Sequence, residues 1–486
     1  MPAAEPVTVS DKLDPRHKVI LGVLMVSTFV VFLNETALGV ALPQIMEQLQ
    51  IQPSTGQWLN TAYMLTMAVI IPTTGFLLQR FSTRNMYMAA MLFFTSGTLV
   101  AALSQSFLQL LCGRILQASG TAIMLPLLMT TVMQLVPEHL RGRINGNISL
   151  VLSAAPALGP AFSGIVLNFL DWRWLFWIML PIGVTTLVIG SIRITNSQET
   201  RKIPIDSISV VLSAFAFSGL IYGLSSFADS ARGTAIVSPW LPLGAGAVLF
   251  ALFLIRQTRL QKTDSALLDL RTFRSRSFTE AMMLMAIGML ILFGAGILIP
   301  IYMQNVLRVE PLVTGLMMLP GGLIMGLLGP TVGRIYDKHG PRKLLLPGAI
   351  TVSVAFWSMV TFTTATTVWM VFISYTLLSI GLAFLFTPLF ALSLSSVPPK
   401  LYSYASATIG TLQQLAGAAG TALFITVMTM ISVNLAQTGS TEVEALSAGI
   451  TTAFLIGAIS SLGLIAVAAI LKRPATAEEI AEELQP

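Results

Sequence analysis

Charge is what this chain has least of. Only 10% of its 486 residues are charged, against roughly a quarter in soluble proteins, while 55% are apolar and the mean hydropathy is +0.81. Such a composition excludes a soluble enzyme. Cysteine is almost absent: Cys112 stands alone, so no intrachain disulfide is possible. The three histidines, His17, His139 and His339, lie far apart without metal-ligand spacing, so zinc and redox chemistry have no support and no metal site is expected. No Gly-x-x-x-x-Gly-Lys-Ser/Thr loop occurs, so ATP is not the expected energy source and no cofactor is called for. The net charge of +6 is spread over short loops rather than gathered on one segment, which argues against nucleic acid.

What the chain has in abundance is long apolar stretches. They recur fourteen times, the first at residues 19–42 and the last at 450–471. A helix of about 21 residues crosses the hydrocarbon, so fourteen take up about 294 residues and leave no room for an extramembrane catalytic domain. The expectation is an all-α integral membrane protein. Lys12, Arg16 and Lys18 precede the first stretch as in a signal peptide, but its length and the lack of a small-x-small site mark a retained span. With the N-terminus inside, only Arg173, Arg232 and Arg308 fall in outside loops, Arg114 falls within a span, and the remaining 23 of the 27 Lys and Arg lie inside. The positive-inside rule therefore places both termini in the cytoplasm.

The longest basic connection, residues 256–280, holds Arg256, Arg259, Lys262, Arg271, Arg274 and Arg276 and separates eight spans from six. Span 2 ends Gly75-Phe-Leu-Leu-Gln79-Arg80-Phe-Ser82-Thr83-Arg84, and span 10 ends Gly333-Arg334-Ile-Tyr-Asp337-Lys338-His-Gly340-Pro341-Arg342-Lys343. This internal repeat matches spans 1–6 to spans 9–14, with 7 and 8 inserted. The expected organisation is a six-helix bundle over 1–192, two inserted helices over 193–256, a basic cytoplasmic linker over 257–279, a second six-helix bundle over 280–472 and a cytoplasmic tail over 473–486. Repeated bundles of this type bind substrate near the midplane between halves.

The residues 333–343 resemble the Gly-x-x-x-Asp-Arg/Lys-x-Gly-x-Arg/Lys loop of the major facilitator superfamily. Arg114-Ile-Leu-Gln117-Ala-Ser-Gly120 is similar to its fourth-helix signature, and Gly159-Pro160-Ala-Phe-Ser163-Gly164 to the fifth-helix signature associated with antiporters. Trp172-Arg-Trp-Leu-Phe-Trp-Ile-Met-Leu-Pro181-Ile-Gly183, Trp58-Leu-Asn-Thr-Ala-Tyr63 and Leu42-Pro43 resemble the fourteen-helix drug:proton antiporter branch. Within it, Phe32-Leu-Asn34-Glu35-Thr36 is most similar to the lincomycin-resistance type of exporter. Two positions depart from the pattern. Gln79 and Ser82 stand where the first-half loop usually has Asp and Gly, so a gating contact of that Asp is absent or carried by Asp337. Asn34 stands where the first helix commonly has Asp, so the acid has moved by one residue to Glu35, about 100° around the helix.

Glu35 is the only acidic residue well inside a span. An ionised carboxylate in hydrocarbon is costly, so it faces a cavity or a partner, or binds a proton. Proton coupling and permanent pairing for helix packing are the two readings. Arg114 is its expected partner because both fall in the outer half of the bundle, as a coupling pair or as a static lock between spans 1 and 4. Asp337, beside the start of span 11, is expected to bond free backbone amides there, as a gate or as a plain cap. Gly333, Gly340, Arg342 and Arg80 complete the expected gate loops.

Ala155, Gly159 and Ser163, with Pro156, Pro160 and Gly164, give a small-residue seam on span 5, and Gly410, Gly417 and Gly420 give another on span 13. Candidates for a substrate cavity are Asn34, Tyr63, Gln117, Tyr302, Gln304, Asn305, Gln413 and Gln414; each amide equally suits a bond to a neighbouring helix. The 24 Met and 26 Phe suit a pliable cavity or a lipid-facing surface. The resemblance implies a monomeric proton-coupled antiporter that exports small amphipathic organic compounds from a bacterium across its plasma membrane. A uniporter or importer of a metabolite or lipid and a non-transporting membrane receptor are the alternatives.

Overall fold

The computed structural model describes residues 14–51, 53–137, 140–195, 206–231, 237–263 and 265–471. The 472–486 tail and His139 lie outside them, and of Pro156 and Pro160 only the backbone is described. Fourteen long helices follow one another: α1 (Pro15–Gln48), α2 (Pro53–Arg80), α3 (Thr83–Ala102), α4 (Phe107–Leu135), α5 (Arg141–Phe169), α6 (Arg173–Arg193), α7 (Ser207–Ala231), α8 (Trp240–Leu260), α9 (Arg276–Ile301), α10 (Pro311–His339), α11 (Arg342–Val360), α12 (Val368–Ser395), α13 (Tyr402–Gln437) and α14 (Glu442–Ile470). Thirteen of them, counted over the described residues, carry a window long and apolar enough to cross a membrane; the count omits α5, some of whose side chains are undescribed. Among the described residues there is no strand.

Local chemistry explains where the helices begin. Ser82, Ser106 and Ser275 accept from the amides of Asn85, Gln109 and Phe278 at the starts of α3, α4 and α9. Thr441 and Glu444 form a capping box on α14, so the first free amides of these helices are satisfied. Gly340, at φ 75°, ends α10 in the left-handed region that glycine enters without strain. The apolar stretches understated several helices. α1 runs well beyond 19–42 at both ends, and α8 continues to Leu260 while α9 starts at Arg276, so the connection between them is shorter than 257–279.

The helices assemble as two six-helix bundles. In the first, α3 packs on α4 and α6, α1 on α5, and α2 on α4; in the second, α9 packs on α13, α11 on α12 and α14, and α10 on α12. The inserted pair α7 and α8 pack on each other, and α7 leans on α2 and α13. The bundles meet where α5 crosses α10 and where α2 and α4 meet α13. Many of the closest approaches lie on the basic, cytoplasmic side. Gly142 faces Gly333, Gly146 faces Gly329 and Leu150 faces Gly326 along α5 and α10. Thr130 bonds Ser406 at 3.2 Å, and the Arg141 guanidinium lies 5.8 Å from the Tyr402 ring. Small residues let backbones come this close, and the bundles are in contact along the side that carries the basic loops.

Candidate functional site

The first bundle holds a buried polar cluster built from four helices. Arg114 on α4 is 1% exposed. Its Nη1 donates to Gln117 Oε1 at 3.0 Å and to Asn34 Oδ1 on α1 at 3.4 Å. Its guanidinium carbon lies 4.0 Å from the centre of the Tyr63 ring on α2, within cation–π range. Gln117 Nε2 in turn donates to Thr98 Oγ1 on α3 at 2.9 Å, and the Tyr63 hydroxyl donates to Thr121 Oγ1 at 2.8 Å. Neutral groups thus hold the arginine, and its Nε has no hydrogen-bond partner among the described residues.

Glu35 is not among the arginine's hydrogen-bond acceptors. Its Oε2 is shielded and without a partner among the described residues. The expected Glu35–Arg114 bond is therefore replaced by one from Arg114 to Asn34. The physical reason is the one-residue shift of the acid: the amide stands at the position facing α4, and the carboxylate is turned about 100° away. An ionised carboxylate without a hydrogen-bond partner is costly in such a site, which favours its neutral form.

Helix α5 supports this segment of α1 from behind. Gly159 is packed so closely that a Cβ would meet Thr36 Oγ1, and Thr36 approaches the Ala155 carbonyl at 3.5 Å. Gly164, by contrast, faces open space. On α13, Gly410 lies against Ile71 of α2, whereas Gly417 and Gly420 lie against Phe293 and Leu290 of α9.

Asp337 reaches a different target from the one expected. Its Oδ1 accepts from the Gly142 amide at 2.8 Å and its Oδ2 from the Arg143 amide at 2.9 Å. Both belong to the start of α5 in the opposite bundle, not to α11. There the carboxylate meets free amides and the positive end of the α5 dipole. Gly333 completes the seam, since a Cβ would strike the Gly142 carbonyl. Gln79, at the repeat-related place, turns back to the Gly75 carbonyl of its own helix at 3.3 Å. Arg80 lies 5.9 Å from the Phe81 ring, and Arg342 is exposed in the first turn of α11.

The cavity candidates divide. Asn34, Tyr63 and Gln117 share the cluster around Arg114. Gln414 points across the α2–α13 seam, its Nε2 3.9 Å from Met67 Sδ, and Gln413 is half-buried beside it. Tyr302, Gln304 and Asn305 sit apart in a π-helical turn, Tyr302–Val306, at the outer end of α9. Tyr302 is wholly buried there, stacked on Phe362 with its hydroxyl donating to the Thr363 carbonyl at 2.6 Å, so packing accounts for it. The sequence reading passed over Thr98 and Thr121, and also Gly142, Gly146 and Gly329. The glycines were legible as a small-residue spacing on α5 and α10.

The sequence profile of the Major Facilitator Superfamily matches residues 24–421. The chain is similar to the lincomycin resistance protein LmrB of Listeria monocytogenes, with 37% identity over 92% of this chain and 95% of that protein. It is 36% identical to LmrB of Bacillus subtilis over 91% and 93% of the two chains. A multidrug resistance protein B homolog of Mycobacterium tuberculosis is 27% identical over 86% and 77%. Among solved structures, the human organic anion transporter MFSD10 superposes with a TM-score of 0.66 at 15% identity, covering 92% of this chain and 100% of that one. The proton:xylose symporter XylE does so with a TM-score of 0.64 at 14% identity, covering 96% and 99%. With two repeat-related bundles and an inserted helix pair, this chain belongs to the Major Facilitator Superfamily and is a multi-pass membrane transporter, not an enzyme.

Proposed function

We propose that the chain is a proton-coupled exporter of amphipathic organic compounds, working as a monomer in a bacterial plasma membrane by alternating access between its two bundles. The observation that carries this reading is the half-buried Glu35, whose Oε2 is shielded and has no hydrogen-bond partner among the described residues while Arg114 bonds Asn34 instead. A static structural pair would bond the two; here the arginine is held by Asn34, Gln117 and Tyr63 instead. Glu35 binds a proton when it faces the outside and yields it after the bundles rock, and substrate occupies the space between them in the other half of the cycle. The relatives named for lincomycin and multidrug resistance support export of organic compounds. Asp337 acts as the gate contact on the cytoplasmic side, released when α5 and α10 part.

The energetics suffice: one proton crossing about 100 mV releases about 2.3 kcal/mol, enough for a gradient of roughly fiftyfold in a neutral compound. Proteoliposomes with an imposed pH gradient and radiolabelled lincomycin as probe test the reading. Wild-type protein accumulates the probe uphill, and Glu35→Gln, which keeps size and hydrogen bonding but cannot titrate, loses uphill accumulation, the ratio falling from at most roughly fiftyfold to about one. Downhill exchange by Glu35→Gln persists. Uphill transport by Glu35→Gln at the wild-type rate would return Glu35 to a packing role.

A further inference from the structure

The connection between the bundles does more than join them. After α8 the chain turns through Gln261–Thr263 and doubles back, so that Ala266, Leu267 and Leu268 are buried. The two leucines enter one apolar cluster with Phe253 of α8, Phe76 of α2 and Ala407 of α13. Phe76 and Ala407 belong to opposite bundles, and a Cβ on the adjoining Gly75 would lie 3.2 Å from Ala407 Cβ. The leucines therefore sit against the cytoplasmic end of the α2–α13 seam, where Gln79 makes no carboxylate contact across the bundles.

A wholly buried side chain fixes the turn. Gln257 Oε1 accepts from the Leu267 amide at 2.7 Å and the Leu268 amide at 3.4 Å, and its Nε2 donates to Ser209 Oγ on α7 at 2.8 Å. A glutamine at this depth satisfies amides that would otherwise be orphaned, because the leucines carry their backbone out of water. Asp206 and Arg256, paired through two bonds of 2.7 Å, tie α7 to α8 at the same level. Asp269, likewise buried, is gripped by Arg271 at 2.6 Å and closes the far end of the segment.

We propose that residues 265–270, clamped by Gln257, are a latch that holds the α2–α13 seam shut towards the cytoplasm and leaves its pocket each time that seam opens. Parting Phe76 from Ala407 opens the cluster and strips at least one wall from the leucines, so the latch and the seam move together. The inserted pair then serves as the mount of the latch. The proposal rests on the alternating-access reading, but both tests below use no substrate and no proton gradient, so they fail separately from the export reading.

Alkylation from the cytoplasmic side of inside-out vesicles reads the first test, in a Cys112→Ser background carrying Ser149→Cys. Ser149 is buried in the other seam, against Gly329 of α10, so its labelling reports opening of the whole cytoplasmic side rather than local uncovering. Leu267→Ser with Leu268→Ser raises the labelling rate about tenfold, and Gln257→Leu, which keeps the packing and removes only the clamp, raises it less. Faster labelling at Ser406→Cys, on α13 against Thr130 of α4, with Ser149→Cys unchanged would overturn the proposal, showing a local cover only.

Hydrogen exchange supplies the reciprocal test on a protein with an intact latch. Coupled sites bias each other equally, so Asp337→Asn, which loosens the other seam, speeds exchange of the Leu267 and Leu268 amides about fivefold. Exchange at those amides unchanged from wild type, while the Gly142 and Arg143 amides speed up, would overturn the proposal.

Discussion

The two seams that shut the cytoplasmic side are closed by different chemistry. Between α5 and α10 the backbones themselves touch, glycine against glycine at Gly142 with Gly333 and Gly146 with Gly329, and Asp337 binds across the gap to the first amides of α5. Between α2 and α13 the contact is looser and mostly made by side chains: Tyr404 and Ala407 against Gly75, Gln414 against Met67, with Leu267 and Leu268 filling the end. Repeat symmetry preserved the shape of the halves while the closing interactions diverged. A carboxylate on one side is answered by an apolar insert on the other.

The sharpest way to break this comparison is the same substitution in both seams. At Gly333 an added methyl meets the Gly142 carbonyl, a backbone atom that cannot rotate aside, so the helices must separate. Gly333→Ala is expected to weaken the closed state by about 3 kcal/mol, partly offset by about 1 kcal/mol of helix propensity. At Gly75 the neighbours are Tyr404 Cδ1 at 3.1 Å and Ala407 Cβ and the backbone Tyr404 Cα at 3.2 Å, all far enough away that a shift of a few tenths of an ångström relieves them. Gly75→Ala is therefore expected to be near neutral, its overpacking offset by about 1 kcal/mol of propensity. Melting of the purified protein and alkylation of Ser149→Cys check both, and equal effects would sink the distinction.

A smaller effect is expected at the carboxylates and amides of the two loops. Asp337→Asn keeps an acceptor but removes the charge at the α5 N-terminus, worth about 1 kcal/mol or a fivefold faster opening. Gln79→Ala, at the related place, loses only a bond back to the Gly75 carbonyl and is expected to change opening by less than about 0.5 kcal/mol. Labelling rates that respond alike to both variants would mean that Gln79 shares in the gate.

How much of this was readable beforehand follows from the range of the interactions. Fourteen apolar stretches, the basic side and the repeat between Gly75-Phe76 and Gly333-Arg334 are local or additive signals, and the helix order matches them. The sequence singled out Asp337 for its carboxylate at a helix boundary, but not the helix it would cap, since α5 lies almost two hundred positions earlier and only packing brings it there. Arg114 and Glu35 were placed at compatible depths; their angular positions on α1 and α4 decide which of Asn34 and Glu35 faces the guanidinium, and depth carries no angle. Gln257 was not singled out by any pattern in the sequence. Its role depends on the Leu267 and Leu268 amides coming back to α8, which no hydrophobic period announces.

The last difference between the seams concerns pH. The latch is mounted on the Asp206–Arg256 pair, and the Arg256 guanidinium, with help from Ser209, holds the Asp206 carboxyl down to about 2. A carboxylate whose folded value lies below its ordinary value of about 3.9 stabilises the fold fully above that value. The contribution is lost as pH falls from there through about 2. The mount is thus fully charged from about pH 5 upward, across the range in which a proton-coupled cycle runs. The Asp206→Asn variant is expected to melt slightly below wild type by an amount constant between about pH 5 and 9, the difference closing only below about pH 4 as wild type loses the same pairing. Because Arg256 is a third exposed, salt should narrow the difference further. A gap that grew or vanished between about pH 5 and 8 would place a titrating group in the latch itself; a constant gap leaves pH-driven opening to a group elsewhere, with Glu35 the one to test first.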